Sequence, residues 1–149
     1  MNNFSKVLLA TDLSPASGRL TDCLFELCPD TGTEVALVHV LDDDEDVDPH
    51  STGYRQKQSR LKRCEDELNK AGYEHTSIML PVGEPIERIN EIADALDIDL
   101  AMLASHGKGF IRSTLLGSTT FDLARMANYP LFIDKLHHGN KEGKSLLET

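Results

Sequence analysis

The stretch ASHGKGFIRSTLLGS, residues 104–118, packs three glycines, three serines, a threonine, a lysine and an arginine directly behind an apolar run. Glycines let a backbone approach a ligand closely, and the amides they expose can cradle an anion such as a phosphate. The familiar phosphate motifs are nevertheless missing. No G-x-x-x-x-G-K-[ST] occurs, and GKGFIR stops short of G-x-G-x-x-G because Arg112 takes the last position. Ser105 and His106 are sequence neighbours with no identifiable third group, so a nucleophilic triad finds no support. A phosphorelay receiver needs an aspartate after its third strand, where this chain reads LPVGEP.

The elements that must carry this stretch are short, partly β-branched apolar runs: Val7 to Ala10, Val35 to Leu41, Ser77 to Val82, Leu100 to Ala104 and Leu131 to Ile133. They do not alternate, which is the pattern of strands covered on both faces. Helical patterns lie between them. Ser14-Pro15 opens one running towards Cys28. Leu61, Cys64 and Leu68 mark a second that ends before Gly72. Pro85 starts a third through Ile86, Ile89, Ala93 and Leu96, and a fourth runs from about Ser118 to Ala127. This alternation predicts an open five-stranded parallel α/β sheet, Rossmann-like, with helices on both faces. Such sheets bind ligands beyond the carboxyl ends of their strands, where ATDLSP, HVLDDD, PVGEP and residues 104–118 all meet. Helices starting at Ser14, Pro85 and Ser118 are expected to aim unpaired N–H groups at the same edge.

A chain of 149 residues with 40% hydrophobic content suits one domain with a real core. Its net charge of -10 argues against nucleic acid and anionic membranes as partners, so an anionic ligand must be held locally. The amino-terminal residues show no secretory pattern and no run approaches a membrane span, so the expectation is a cytoplasmic protein. Cys23, Cys28 and Cys64 form no C-x-x-C pair and read as buried thiols. His39, His106, His137 and His138 show no metal-ligand pattern. The acidic run 42–48 reads as a solvated loop.

From Gly107 the spacing becomes more specific: nine residues separate it from Gly117, and Ser118 follows. This resembles the nucleotide-binding signature of the universal stress protein family: glycine, two residues, glycine, nine residues, glycine, then serine or threonine. VLLATDLSPAS, VALVHVLD and YPLFIDK resemble that family's first, second and last strands, so the likeness covers nearly the whole chain, to Lys135. One departure is Ala104, standing where the ATP-binding branch usually has its first glycine.

The resemblance implies a strand order of 3-2-1-4-5, a domain over residues 1–136 and a flexible tail over 137–149. It implies ATP as the ligand, or AMP or ADP, carried with Mg²⁺. Asp12, beside Thr11, would lie near the adenosine; Val40 would line the adenine pocket. Ala104, Gly107, Gly109, Gly117, Ser118 and Thr119 would surround the phosphates. It further implies a homodimer through Leu131, Phe132 and Ile133, a protein partner of unknown identity, and a role in stress response.

Plainer readings stand beside these. Asp12 also fits a turn before Ser14, Gly107 and Gly117 fit loop geometry, Ser118 an N-cap, Val40 the core, and Lys108 and Arg112 solvent-facing charges. Two alternatives to nucleotide binding follow. One is a nucleotide-free dimeric interaction protein with its pocket compromised at Ala104; the other is a slow ATPase, for which no general base for water is evident.

Overall fold

A computed structural model describes residues 4–13, 17–42, 47–104, 123 and 125–134. Five strands, β1 (Lys6–Ala10), β2 (Glu34–Val38), β3 (Thr76–Met79), β4 (Leu100–Ala104) and β5 (Leu131–Asp134), alternate with α1 (Ser17–Leu27), α2 (Thr52–Lys70) and α3 (Pro85–Leu96) up to β4. All pairings are parallel and the sheet order is β3-β2-β1-β4-β5. The expected architecture and strand order are therefore both present. Leu123, Arg125 and Met126 are helical, and Ala127 N–H donates to Leu123 C=O at 2.9 Å, which gives the last turn of the expected fourth helix. Its start at Ser118 lies outside the described residues.

The unbroken apolar runs are explained by cover on both faces. Leu8, Ala10, Val38, Ala101 and Leu103 turn to one face, where Ile86, Ile89 and Ala93 of α3 pack with Leu123. Val7, Leu9, Leu37 and Met102 turn to the other, against Leu20 and Leu24 of α1 and Leu61 and Leu68 of α2. Each fully buried leucine contributes about 1.5–3 kcal/mol through loss of apolar surface to water. Among the cysteines, Cys28 is buried as expected, whereas Cys23 and Cys64 are half-buried because each lies at the margin of this second cluster. Burial pushes all three thiols up from their ordinary range, so none is an activated thiolate.

The helix ends follow local chemistry. Ser51 caps α2, its hydroxyl accepting from Tyr54 N–H at 3.1 Å. Asp97 closes α3 in the left-handed region, at φ 58°. Two residues on, the Asp99 carboxylate accepts from Ser5 N–H at 3.0 Å and Lys6 N–H at 3.1 Å, pinning the start of the central strand.

Tyr129 donates its hydroxyl hydrogen bond to Asn90 Oδ1 on α3. Burial, reinforced by the Asp94 carboxylate, pushes its phenol up to about 12. An unfolded tyrosine titrates near pH ~10, so the stabilisation is complete below that value and is lost as pH rises towards the folded value. Partial exposure of the ring screens the effect to on the order of 1 kcal/mol. Tyr129→Phe should therefore show a shallower fall in Tm than the parent between about pH 9.5 and about pH 11.5. Parallel falls would mean that the phenol carries none of the alkaline sensitivity.

Candidate functional site

Strand order decides where a crevice opens. The chain moves outward from β1 through β2 to β3, then returns to β1's other side for β4 and β5, so the switch point lies between β1 and β4. Thr11, Asp12 and Leu13 leave β1 there. Thr11 is 2% exposed, its N–H donates to Val38 C=O at 2.9 Å, and its hydroxyl accepts from Leu13 N–H at 2.9 Å. This hydroxyl-closed turn places Leu13 at φ 66°, a conformation that side chains other than glycine adopt infrequently. Asp12 stands between the two, half-buried, with its Oδ2 atom enclosed.

On β2's side His39 is 5% exposed, and its Nδ1 lies 2.9 Å from Thr11 C=O. A carbonyl oxygen only accepts, so Nδ1 carries the proton and Nε2 is the acceptor whenever the ring is neutral. Sequence reasoning weighed His39 solely as a metal ligand and missed that it braces the turn presenting Asp12. Its place directly after an apolar strand marks it as buried but does not show what it bonds. Val40 follows, 6% exposed and packed with the α3-side core. On the other side of β1, Ala104 ends β4 and pairs with Asp134 of β5. Thr11, Asp12, Val40 and Ala104 thus share one edge of three adjacent strands. Gly107, Gly109, Gly117, Ser118 and Thr119, together with Lys108 and Arg112, lie outside the described residues.

A third loop completes the edge. Leu41 bridges Val82, Leu41 N–H donates to Pro81 C=O at 2.8 Å, and Gly83 N–H donates to Leu41 C=O at 2.9 Å. Gly83 sits at φ +142°, and a Cβ there would come within 3.2 Å of Arg88 Cδ, so the loop closes this tightly because position 83 is glycine. The expectation that α3 offers its amino end to an anion needs correction. Glu84 is the N-cap, and its carboxylate accepts from Glu87 N–H at 2.8 Å. The helix end already holds a negative group, which repels a second anion.

At the far edge of the site, Asp134 is buried and accepts from Arg19 Nε of α1 at 2.9 and 3.2 Å. This charge-assisted pair ties β5 to the helix that follows the Asp12 turn.

Comparison with known proteins adds the family. The family model described as the universal stress protein family matches residues 3–135. The chain belongs to the universal stress protein family. Universal stress protein MJ0577 of Methanocaldococcus jannaschii is 24% identical over 155 residues, covering 89% of this chain and 95% of that protein. Its structure superposes with a TM-score of 0.72 at 26% identity, over 91% of this chain and 98% of its own. A universal stress protein in complex with cAMP has a TM-score of 0.68 at 23% identity, over 89% and 97% of the two chains. The universal stress protein of Archaeoglobus fulgidus in complex with dAMP gives 0.63 at 20% identity, over 89% and 98%. These last two likenesses establish a shared fold. Among the described residues, no helix of this family member is long and apolar enough to cross a membrane.

Proposed function

We propose that this universal stress protein binds ATP, or AMP or ADP, in the crevice between β1 and β4, and that nucleotide occupancy of residues 105–118 alters its choice of protein partner as a homodimer. The observation that carries this reading is the braced turn at the switch point. Thr11 and His39 fix the backbone on either side of Asp12, and Val40 lies two residues past the end of the neighbouring strand β2. The relatives in complex with cAMP and dAMP support an adenine nucleotide as the ligand class.

Asp12 would accept from the ribose or base. Mg²⁺ fits as an ion carried by the phosphates: among the described residues no group of three His, Cys, Asp or Glu is placed to cage a metal, and Mg²⁺ is commonly held by one or two carboxylates plus phosphate oxygens. Ala104 favours a second reading, a nucleotide-free interaction protein, because the sequence has alanine at the position where the family's ATP-binding branch usually has glycine.

Native and then denaturing mass spectrometry of freshly purified protein tests both readings. A co-purifying adenine nucleotide supports the first; none, followed by no heat on titration with ATP and Mg²⁺, supports the second. Within the first reading, Asp12→Ala should weaken ATP and AMP equally. The loss should be about 1.5–3 kcal/mol, that of one hydrogen bond to a charged group, or roughly ten- to 150-fold in Kd. Unchanged affinity for both in calorimetry would return Asp12 to the role of a turn residue.

A further inference from the structure

The first three turns of α2 carry Arg55, Lys57, Arg60, Lys62 and Arg63, with no acidic residue between positions 52 and 63. Glu65, Asp66 and Glu67 then follow. A helix macrodipole favours the opposite order, with acids in the first turn and bases in the last. The arrangement works against the helix's own electrostatics, in a chain whose net charge is -10. Leu61 and Leu68 bury against the sheet. Thr52, Arg55, Gln56, Ser59, Arg60 and Arg63 share the outward side, all of them exposed. Lys62 is engaged by Glu65 at 2.9 Å. The three guanidinium groups differ: among the described residues, Arg55, Arg60 and Arg63 make no side-chain hydrogen bond or ion pair.

We propose that this outward face of α2 docks a short acidic segment of a partner protein. Guanidinium groups grip carboxylates in pairs of parallel hydrogen bonds, which suits an arginine row better than a lysine row. From Arg55 to Arg63 the row spans about 12 Å at ~1.5 Å per residue, the length of about four residues of extended peptide at ~3.3 Å each. Its ends are closed by charge of the wrong sign for a long polyanion: exposed Asp48 before the helix, and Glu65, Asp66 and Glu67 after the row. A nucleic acid or an anionic membrane would have to pass over these carboxylates, and the face carries no aromatic ring for base stacking. An acidic peptide that ends within the row avoids both problems. The face is separate from the proposed nucleotide crevice: α2 lies over β3, which β2 and β1 separate from β4.

Fluorescence anisotropy with a labelled oligoglutamate peptide of about eight residues, in roughly 50 mM salt, tests the proposal on the full chain. The Arg55→Ala/Arg60→Ala/Arg63→Ala variant should bind the peptide about tenfold more weakly than the parent. Arg125→Ala/Lys141→Ala/Lys144→Ala, with the same change in net charge, should bind as the parent does. Phenylglyoxal labelling of the parent, read by mass spectrometry, should find Arg55, Arg60 and Arg63 protected by the peptide and Arg125 not, a result that needs no variant to fold. No binding by the parent, equal losses in the two triple variants, uniform labelling, or tighter binding of an oligothymidylate of equal length would each overturn the proposal.

Discussion

Gly117→Val should abolish measurable ATP binding while leaving the sheet folded. If the amides around Gly107 and Gly117 hold the phosphates, a branched side chain at position 117 bars close approach and disturbs the start of the helix that ends near Ala127. Loss of two amide bonds to a charged phosphate, at about 1.5–3 kcal/mol each, amounts to a fall of more than about a hundredfold. That exceeds the effect expected of Asp12→Ala, which removes one such bond. Ala104→Gly tests the same site in the other direction. Tighter ATP binding would mean that the methyl crowds the phosphates; no change would mean that Ala104 merely ends β4. Calorimetry alongside circular dichroism reads both variants. A folded Gly117→Val protein that binds ATP like its parent would sink the phosphate-cradle reading.

Ile133→Pro should convert a dimer into a folded monomer. Ala101 N–H donates to Pro130 C=O at 3.0 Å, so alternate residues 130, 132 and 134 turn their backbone groups towards β4. Leu131 and Ile133 must then turn theirs to the open side of the edge strand. Among the described residues no strand pairs with this edge, and its half-buried apolar side chains on both faces invite one; a two-fold copy of β5 is the simplest cover. Proline at position 133 deletes an outward N–H and spares the ladder to β4, as edge strands permit. Phe132→Pro is the contrasting case, because it deletes an inward donor and should lower the melting temperature instead. Light scattering at micromolar concentration decides: a parent that is already monomeric, or an Ile133→Pro protein that stays dimeric, rules out assembly through β5.

The strand order and the layers were legible because the apolar runs are unbroken and separated by helical patterns, and because the family likeness fixed the order. Strand ends were less legible. Val35 to Leu41 and Ser77 to Val82 read as continuous strands, whereas the ladder stops at Val38 and Met79 and resumes in a single bridge between Leu41 and Val82. Apolar composition reports burial, and Val40 and Leu41 stay buried after their regular pairing ends. The cap of α3 was hidden for a different reason. Pro85 announces the helix start, but a glutamate before it is an uncommon cap, visible only once its carboxylate is seen on Glu87 N–H. In the candidate site, Asp12 could be singled out by type and position. The brace by His39 could not, since it depends on which backbone carbonyl faces the ring across two strands.

The position of β1 at the centre of the sheet also sets the order in which the chain can fold. Its first partner, β2, follows within about thirty residues, but its second, β4, pairs Leu8 with Ala101. The Asp99 carboxylate that anchors Ser5 is 94 residues away in sequence. Until β4 leaves the ribosome, β1 must keep one whole edge without a neighbour. Such long-range closure is slow, and an open apolar edge is where intermediates aggregate. A chain truncated after Leu96 should therefore form inclusion bodies, even though it retains three strands and every helix that covers them up to that point.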